Sequence, residues 1–186
     1  SAHYRTQMSI TDDKLLQTIS ALVRIYSALE LAQQTVNEVN DEAVSDAGFD
    51  KKLAGFDSKI KKALNDDFNS AELISFVFEA VRTFNALGFA NKKKKNATHK
   101  GASQIFLEWM KKYGDMSALF NSEPSPMLNR LDEILIEMRN IDKEKVETLV
   151  QQRNTAREQK DWTLADTIRV ELETIGVELF DGHERG

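Results

Sequence analysis

Apolar residues recur along the chain at the three-to-four-residue spacing of helices buried on one side. After Ile10 the series Leu15, Leu16, Ile19, Leu22, Val23, Tyr26 and Leu29 forms a long stripe. Ser9 or Thr11 can cap its start, and Asp12 and Asp13 lie in the first turn, where the helix dipole favours carboxylates. The stripe fades over 35–40 into a polar connection that holds Gly48. A weaker stripe of Leu53, Phe56, Ile60 and Leu64 predicts a second helix over 50–64. The clearest pattern predicts a third over 70–89, with Asn69 and Glu72 spaced as a capping box. Its Leu73, Phe76, Val81 and Phe84 are expected in the core. Residues 91–100 are polar and lysine-rich and read as a loop, with Lys92, Lys93, Lys94 and Lys95 solvated and mobile. A fourth helix is expected over 103–120, carrying Phe106, Trp109, Met110 and Tyr113, with Gly114 interrupting it. The prolines at 124 and 126 punctuate its end, and a fifth helix follows over 127–140.

The tail compresses more signals into fewer residues. Val146, Leu149 and Val150 mark an apolar face, and Arg153 and Arg157 stand one turn apart on the same helix. Lys160 and Asp161 break the pattern, and Asp161 can cap a second tail helix that opens on Trp162. Leu164, Ala165, Ile168, Leu172 and Ile175 then recur at helical spacing. Gly176 stands where a left-handed residue ends a helix, and residues 177–179 alternate like a short strand. The whole pattern predicts an all-α fold: an antiparallel bundle of four to five helices, then a small mixed α/β C-terminal module.

Composition narrows the function. Only 2 prolines and 8 glycines in 186 residues favour long helices over a turn-rich β protein. With no cysteine, disulfides and thiolate metal sites are excluded, which fits a reducing, cytoplasmic setting. No apolar run reads as membrane-spanning, so no membrane partner is expected. The net charge of −5 argues against general nucleic-acid binding, so an RNA contact would need local positive charge.

Catalytic chemistry is hard to find. His3, His99 and His183 are scattered, with no second ligand at metal spacing. No glycine-rich phosphate loop or Ser/His/Asp set stands on credible elements. The adjacent Asp66 and Asp67 read as helix-capping or lysine-pairing carboxylates rather than an acid–base pair. The tail offers more. A guanidinium fork matches the O6/N7 edge of guanine, and a carboxylate accepts from the exocyclic amines of cytosine or adenine. An indole can stack an unpaired base. Arg153, Arg157, Trp162, Asp166 and Asp181 supply these groups near one turn-rich end. The same residues also read as a solvated arginine face and half-buried packing, and the residues alone leave both readings open.

Four pieces carry a family resemblance: SAHYRTQMSITDDKL, ALNDDFNSAELISFVFEAVRTFN, LVQQRNTAREQKDWTLADTIRVEL and GVELFDG. In this order they resemble the C-terminal part of bacterial cysteinyl-tRNA synthetases. The resemblance implies a DALR-type helical domain over 1–141 and a small anticodon-recognition module over 142–186. It places anticodon contacts at Arg157, Trp162, Asp166 and Asp181, with Arg153 and Lys160 as candidate contacts to the tRNA backbone. The implied partners are cysteine tRNA and an N-terminal catalytic domain absent from this chain. No cofactor or metal is expected in this part, whereas the resembled intact enzyme uses ATP and zinc. The family's HIGH and KMSKS motifs and its zinc ligands are absent, so the chain alone is expected to be inactive. The family also continues past the final Asp-Gly turn with a Gly-Thr-x-Trp-Arg segment, where this sequence ends in His183, Glu184, Arg185 and Gly186. The tail is similar, too, to the helical hairpin of excision-repair proteins, which implies a protein–protein module instead.

Overall fold

The computed structural model describes residues 11–65, 69–88 and 95–177. Among them the chain forms seven helices: α1 (Asp12–Glu38), α2 (Ala47–Asn65), α3 (Ser70–Asn85), α4 (Ala97–Ser117), α5 (Pro124–Met138), α6 (Lys143–Glu158) and α7 (Trp162–Thr174). The chain divides into two compact units, Ser1–Leu131 and Asp132–Gly186, which part within α5.

In the first unit α1 packs along α4, α2 packs along α3, and α3 also meets α1 and α4. Each start is fixed locally. Thr11 accepts from the Lys14 amide, and Asn69 from the Glu72 amide. The core between these helices is aromatic. Phe84 and Phe106 stack at 4.3 Å with Phe49 against Phe84 at 6.2 Å, and all three are buried. One expected core residue is placed differently: Phe76 is half-buried, stacked on Phe56 at 6.1 Å, with the Lys59 ammonium 5.8 Å from its ring centre. α1 corrects the membrane expectation in one respect, because by length and composition alone it could span a bilayer. Its Ile25, Tyr26, Ala28, Leu29 and Ala32 are buried, however, as in the core helix of a bundle.

α4 begins six residues earlier than the sequence pattern predicts. Asn96 accepts from the His99 amide while His99 Nδ1 accepts from the Asn96 amide, so a histidine completes the capping box. The expected loop is thus partly a helix start. The connector after α1 lies across this first turn. The Val44 amide donates to the Ala97 carbonyl at 3.0 Å. Lys100 Nζ donates to the carbonyls of Val39 at 2.8 Å and Asp41 at 3.1 Å. Gly101 permits the approach, since a Cβ there would stand 2.1 Å from the Val44 carbonyl oxygen. Both partners are backbone, so neither can swing aside. Gly101→Ala is therefore expected to cost about 1–3 kcal/mol, the usual range for overpacking. A denaturant melt within a few tenths of wild type would show that the connector can lift off freely. Lys95 is also not a solvated loop lysine: it pairs with Glu38 at 2.8 Å, with 15% of its side chain exposed. Lys92, Lys93 and Lys94 lie outside the described residues, as do Asp66 and Asp67.

Asp57 joins α2 to α4. Its carboxylate accepts from Trp109 Nε1 at 2.7 Å, Tyr113 OH at 2.7 Å and Lys112 Nζ at 2.9 Å. Burial pushes its pKa up, but these bonds and the Lys112 charge outweigh burial and leave it below the ordinary 3.8. Burial, and then the bond and charge of Asp57, hold the Tyr113 phenol well above its ordinary 10.0.

Candidate nucleic-acid interface

The tail folds as a helical hairpin. Asp142 caps α6 by accepting from the Lys145 amide, and Asp161 caps α7 by accepting from the Leu164 amide at 3.0 Å. α6 ends with Lys160 left-handed at φ 60. The Asp161 amide reaches back to the Ala156 carbonyl at 2.8 Å, and the Lys160 amide to that of Arg157 at 3.1 Å. This crossed pair ties off the last turn and reverses the chain within two residues. α7 ends the same way. Gly176 is left-handed at φ 85, the Val177 amide donates to the Leu172 carbonyl at 2.9 Å, and the Gly176 amide donates to that of Glu173 at 3.0 Å.

That ending corrects the fold-class expectation for the C-terminal module. The Val177 amide is committed to capping α7, and its side chain packs on the cluster of Leu149, Ile168 and Leu172. No strand occurs among the described residues, and the mixed α/β module is not seen. Glu178 and Leu179, the rest of the expected strand, lie outside them, as does Asp181. Arg139 Nη1 donates to the Gly176 carbonyl at 3.0 Å and so joins the end of α5 to the end of α7.

The predicted contact residues separate by exposure. Trp162 is the first residue of α7 and is 59% exposed, a large ring held in solvent. Asp166 follows one turn later on the same side of α7, exposed, with no hydrogen bond or ion pair among the described residues. Arg157 is exposed in the last turn of α6, and Lys160 is exposed in the turn itself. Arg153 differs at 8% exposed. Leu149, Arg153 and Ala156 are the buried residues of α6, spaced i, i+4, i+7 along its inner face. That spacing was visible in the sequence, so the shared solvated face proposed for Arg153 and Arg157 does not form.

The hairpin also bears an open groove of about 540 Å³, lined by Gln151, Gln152, Thr155, Gln159, Leu164 and Thr167 among others. At 100° per residue, Arg157 and Thr155 point to opposite sides of α6, as do Trp162 and Leu164 on α7. The groove therefore lies away from Arg157 and Trp162, which are exposed on the surface of the hairpin. Such a surface suits stacking and edge recognition better than enclosing a small molecule. Among the described residues no three His, Asp or Glu side chains gather as metal ligands.

Comparison with known proteins bears on the whole chain. Residues 59–120 match the DALR domain. The chain is 32% identical over 185 residues to a cysteine–tRNA ligase of Bdellovibrio bacteriovorus, covering 99% of this chain and 38% of that protein. It is 35% identical over 182 residues to the cysteine–tRNA ligase of Photorhabdus laumondii, covering 98% of this chain and 34% of that protein. For the cysteine–tRNA ligase of Shewanella frigidimarina the identity is 34% over 186 residues, covering 100% of this chain and 35% of that protein. No solved structure matches the chain. The chain thus spans little more than a third of the length of these relatives. The resemblance carried by the four sequence pieces is shown: with a DALR domain at 59–120, nearly the entire chain corresponds to one part of the cysteine–tRNA ligases.

Proposed function

We propose that the chain is the anticodon-binding region of a cysteine–tRNA ligase. In this reading it binds cysteine tRNA in the cytoplasm and supports ATP-dependent attachment of cysteine by a catalytic domain outside the chain. The observation that carries it is the end-to-end similarity to cysteine–tRNA ligases over about a third of their length. Residues 1–141 act as the DALR-type helical domain and 142–186 as the module that meets the anticodon loop. Trp162 stacks an unpaired base. Arg157, Asp166 and Asp181 meet base edges, and Lys160 stands as the exposed candidate for a phosphate. Arg153, buried in the hairpin, has little surface to offer the backbone. The protein-pairing alternative would rest on Leu164 and Val170, which are 46% and 60% exposed on α7, whereas Leu149, Ile168 and Leu172 are already buried inside the hairpin.

Two substitutions test the roles. Asp166→Ala deletes hydrogen bonds that only the right base can make, so it is expected to cost about 1–3 kcal/mol on cysteine tRNA and to relax discrimination. Trp162→Ala deletes a ring that any base can use, so it is expected to weaken binding by about 1–3 kcal/mol with preference unchanged. Filter-binding curves on cysteine tRNA and an anticodon-changed tRNA measure both effects, with a melt of each variant alongside. Equal losses on both tRNAs for every variant, or losses explained by unfolding, would remove the readout roles.

A further inference from the structure

The exposed face of α2 shows a charge pattern that the tail-centred reading leaves unused. At 100° per residue, Lys51, Lys52, Lys59 and Lys62 fall within an arc of about 100° and span about 16 Å of the helix. All four are exposed, and none forms an ion pair among the described residues. Within α2 no carboxylate stands three or four residues from any of them; Asp66, four after Lys62, lies outside the described residues. The two acids of α2 are engaged elsewhere: Asp50 accepts from Ser45, and Asp57 accepts from Trp109, Tyr113 and Lys112. Lys59 and Lys62, one turn apart, repel each other and weaken the helix. In a chain of net charge −5, this face is a local reversal of sign.

A second observation falls at the same place. Gly55 lies inside the lysine arc, exposed, in the middle of α2. A Cβ there would meet nothing within 4 Å, and the backbone is not left-handed. Neither packing nor conformation asks for glycine, although glycine weakens a helix interior relative to alanine. What it leaves is a flat spot, beside the small exposed Ser58, where another backbone can come close.

We propose that this face of α2 seats the phosphate backbone of RNA, with the strand crossing over Gly55 between Lys51/Lys52 and Lys59/Lys62. The proposal rests on the reading of the chain as a tRNA-binding region but concerns a face outside the tail. Lysine ammoniums act as point charges rather than bidentate forks, so they hold a phosphate strand without reading bases. The α2 face therefore contributes affinity and salt dependence, and the tail contributes the choice of sequence.

Binding of a labelled cysteine tRNA transcript to the full chain across a range of salt tests it. Replacing Lys51, Lys52, Lys59 and Lys62 with Gln is expected to weaken binding about tenfold or more at low salt. It should lower the slope of log K against log salt by about three. The ratio between cognate and anticodon-changed tRNA stays at its wild-type value, and the melting temperature does not fall. Gly55→Gln is expected to raise the melting temperature while weakening binding, because the new side chain stands where the strand passes. Lys14→Gln with Lys111→Gln, exposed lysines on other helices, leaves the slope unchanged. The proposal is overturned by an unchanged slope in the fourfold variant, by wild-type binding of Gly55→Gln, or by an equal loss per lysine in the control. It is likewise overturned if a polyglutamate probe competes as well as tRNA, which would assign the face to acidic proteins. A chain that discriminates anticodons but ignores the α2 variants sinks this proposal alone. One that loses slope without discriminating sinks the anticodon reading alone, and one that binds no RNA at low salt sinks both.

Discussion

Phe84→Ala is expected to destabilise the chain by about 3–5 kcal/mol, the range for emptying a fully packed aromatic site. Phe84 is 0% exposed and lies between Phe106 at 4.3 Å and Phe49 at 6.2 Å. Its removal forfeits the ring's burial and two aromatic contacts, and opens a void among helices α2, α3 and α4. Other contacts, among them the Asp57 bonds to Trp109 and Tyr113, also hold these helices in place, so the void cannot close by moving one side chain. Phe76→Ala serves as the internal comparison. Phe76 is only half-buried, so its loss is expected to cost roughly 1–2 kcal/mol. Urea melts of the two variants measure the difference. Equal losses would mean that the aromatic layer does not carry the first unit.

Asp57→Ala is expected to cost about 2–6 kcal/mol. The substitution strands two donors, Trp109 Nε1 and Tyr113 OH, on rings that are 6% and 2% exposed. Each buried donor without a partner costs about 1–3 kcal/mol. Asp57→Asn keeps one acceptor oxygen and is expected to lose less, which separates the geometry from the charge. The charge also gives a pH dependence. The carboxyl is held below 3.8 in the folded chain, so the unfolded chain takes up its proton first as pH falls. The stabilisation is therefore complete above 3.8 and drains away as pH drops through the lower folded value. Tyr113 works in the opposite sense: its contribution is complete below 10.0 and is lost as pH rises beyond that. Asp57→Asn should flatten the acid limb of a stability profile. An acid limb parallel to wild type would show that Asp57 does not set it.

The features legible in the sequence are the local ones. Thr11, Asn69, Asp142 and Asp161 announce helix starts because a cap needs only its own next three residues. Gly176 announces a helix end for the same reason. Long-range contacts were hidden. Trp109 and Tyr113 stand more than fifty residues from Asp57, so no spacing rule could join them. The first turn of α4 read as a loop because its partners, Val39, Asp41 and Val44, belong to a distant connector. Arg153 was misplaced for another reason. Its charge suggested solvent, while its register with Leu149 and Ala156 pointed inward, and a long aliphatic stem lets arginine follow its register. The lysine face of α2 was legible but masked by the negative total, which averages a basic helix with acidic surroundings. Trp162, for which the residues alone left half-buried packing open, reaches the surface with Asp166, because the inward positions of α7 are taken by Ala165, Ile168 and Leu172.

Equilibrium binding of the full chain to cysteine tRNA, beside the same tRNA carrying a changed anticodon, tests the anticodon-binding role most directly. At moderate salt the cognate tRNA is expected to bind about tenfold tighter or more, the discrimination that one or two base-edge contacts supply. Equal affinity for the two tRNAs at every salt concentration would contradict it.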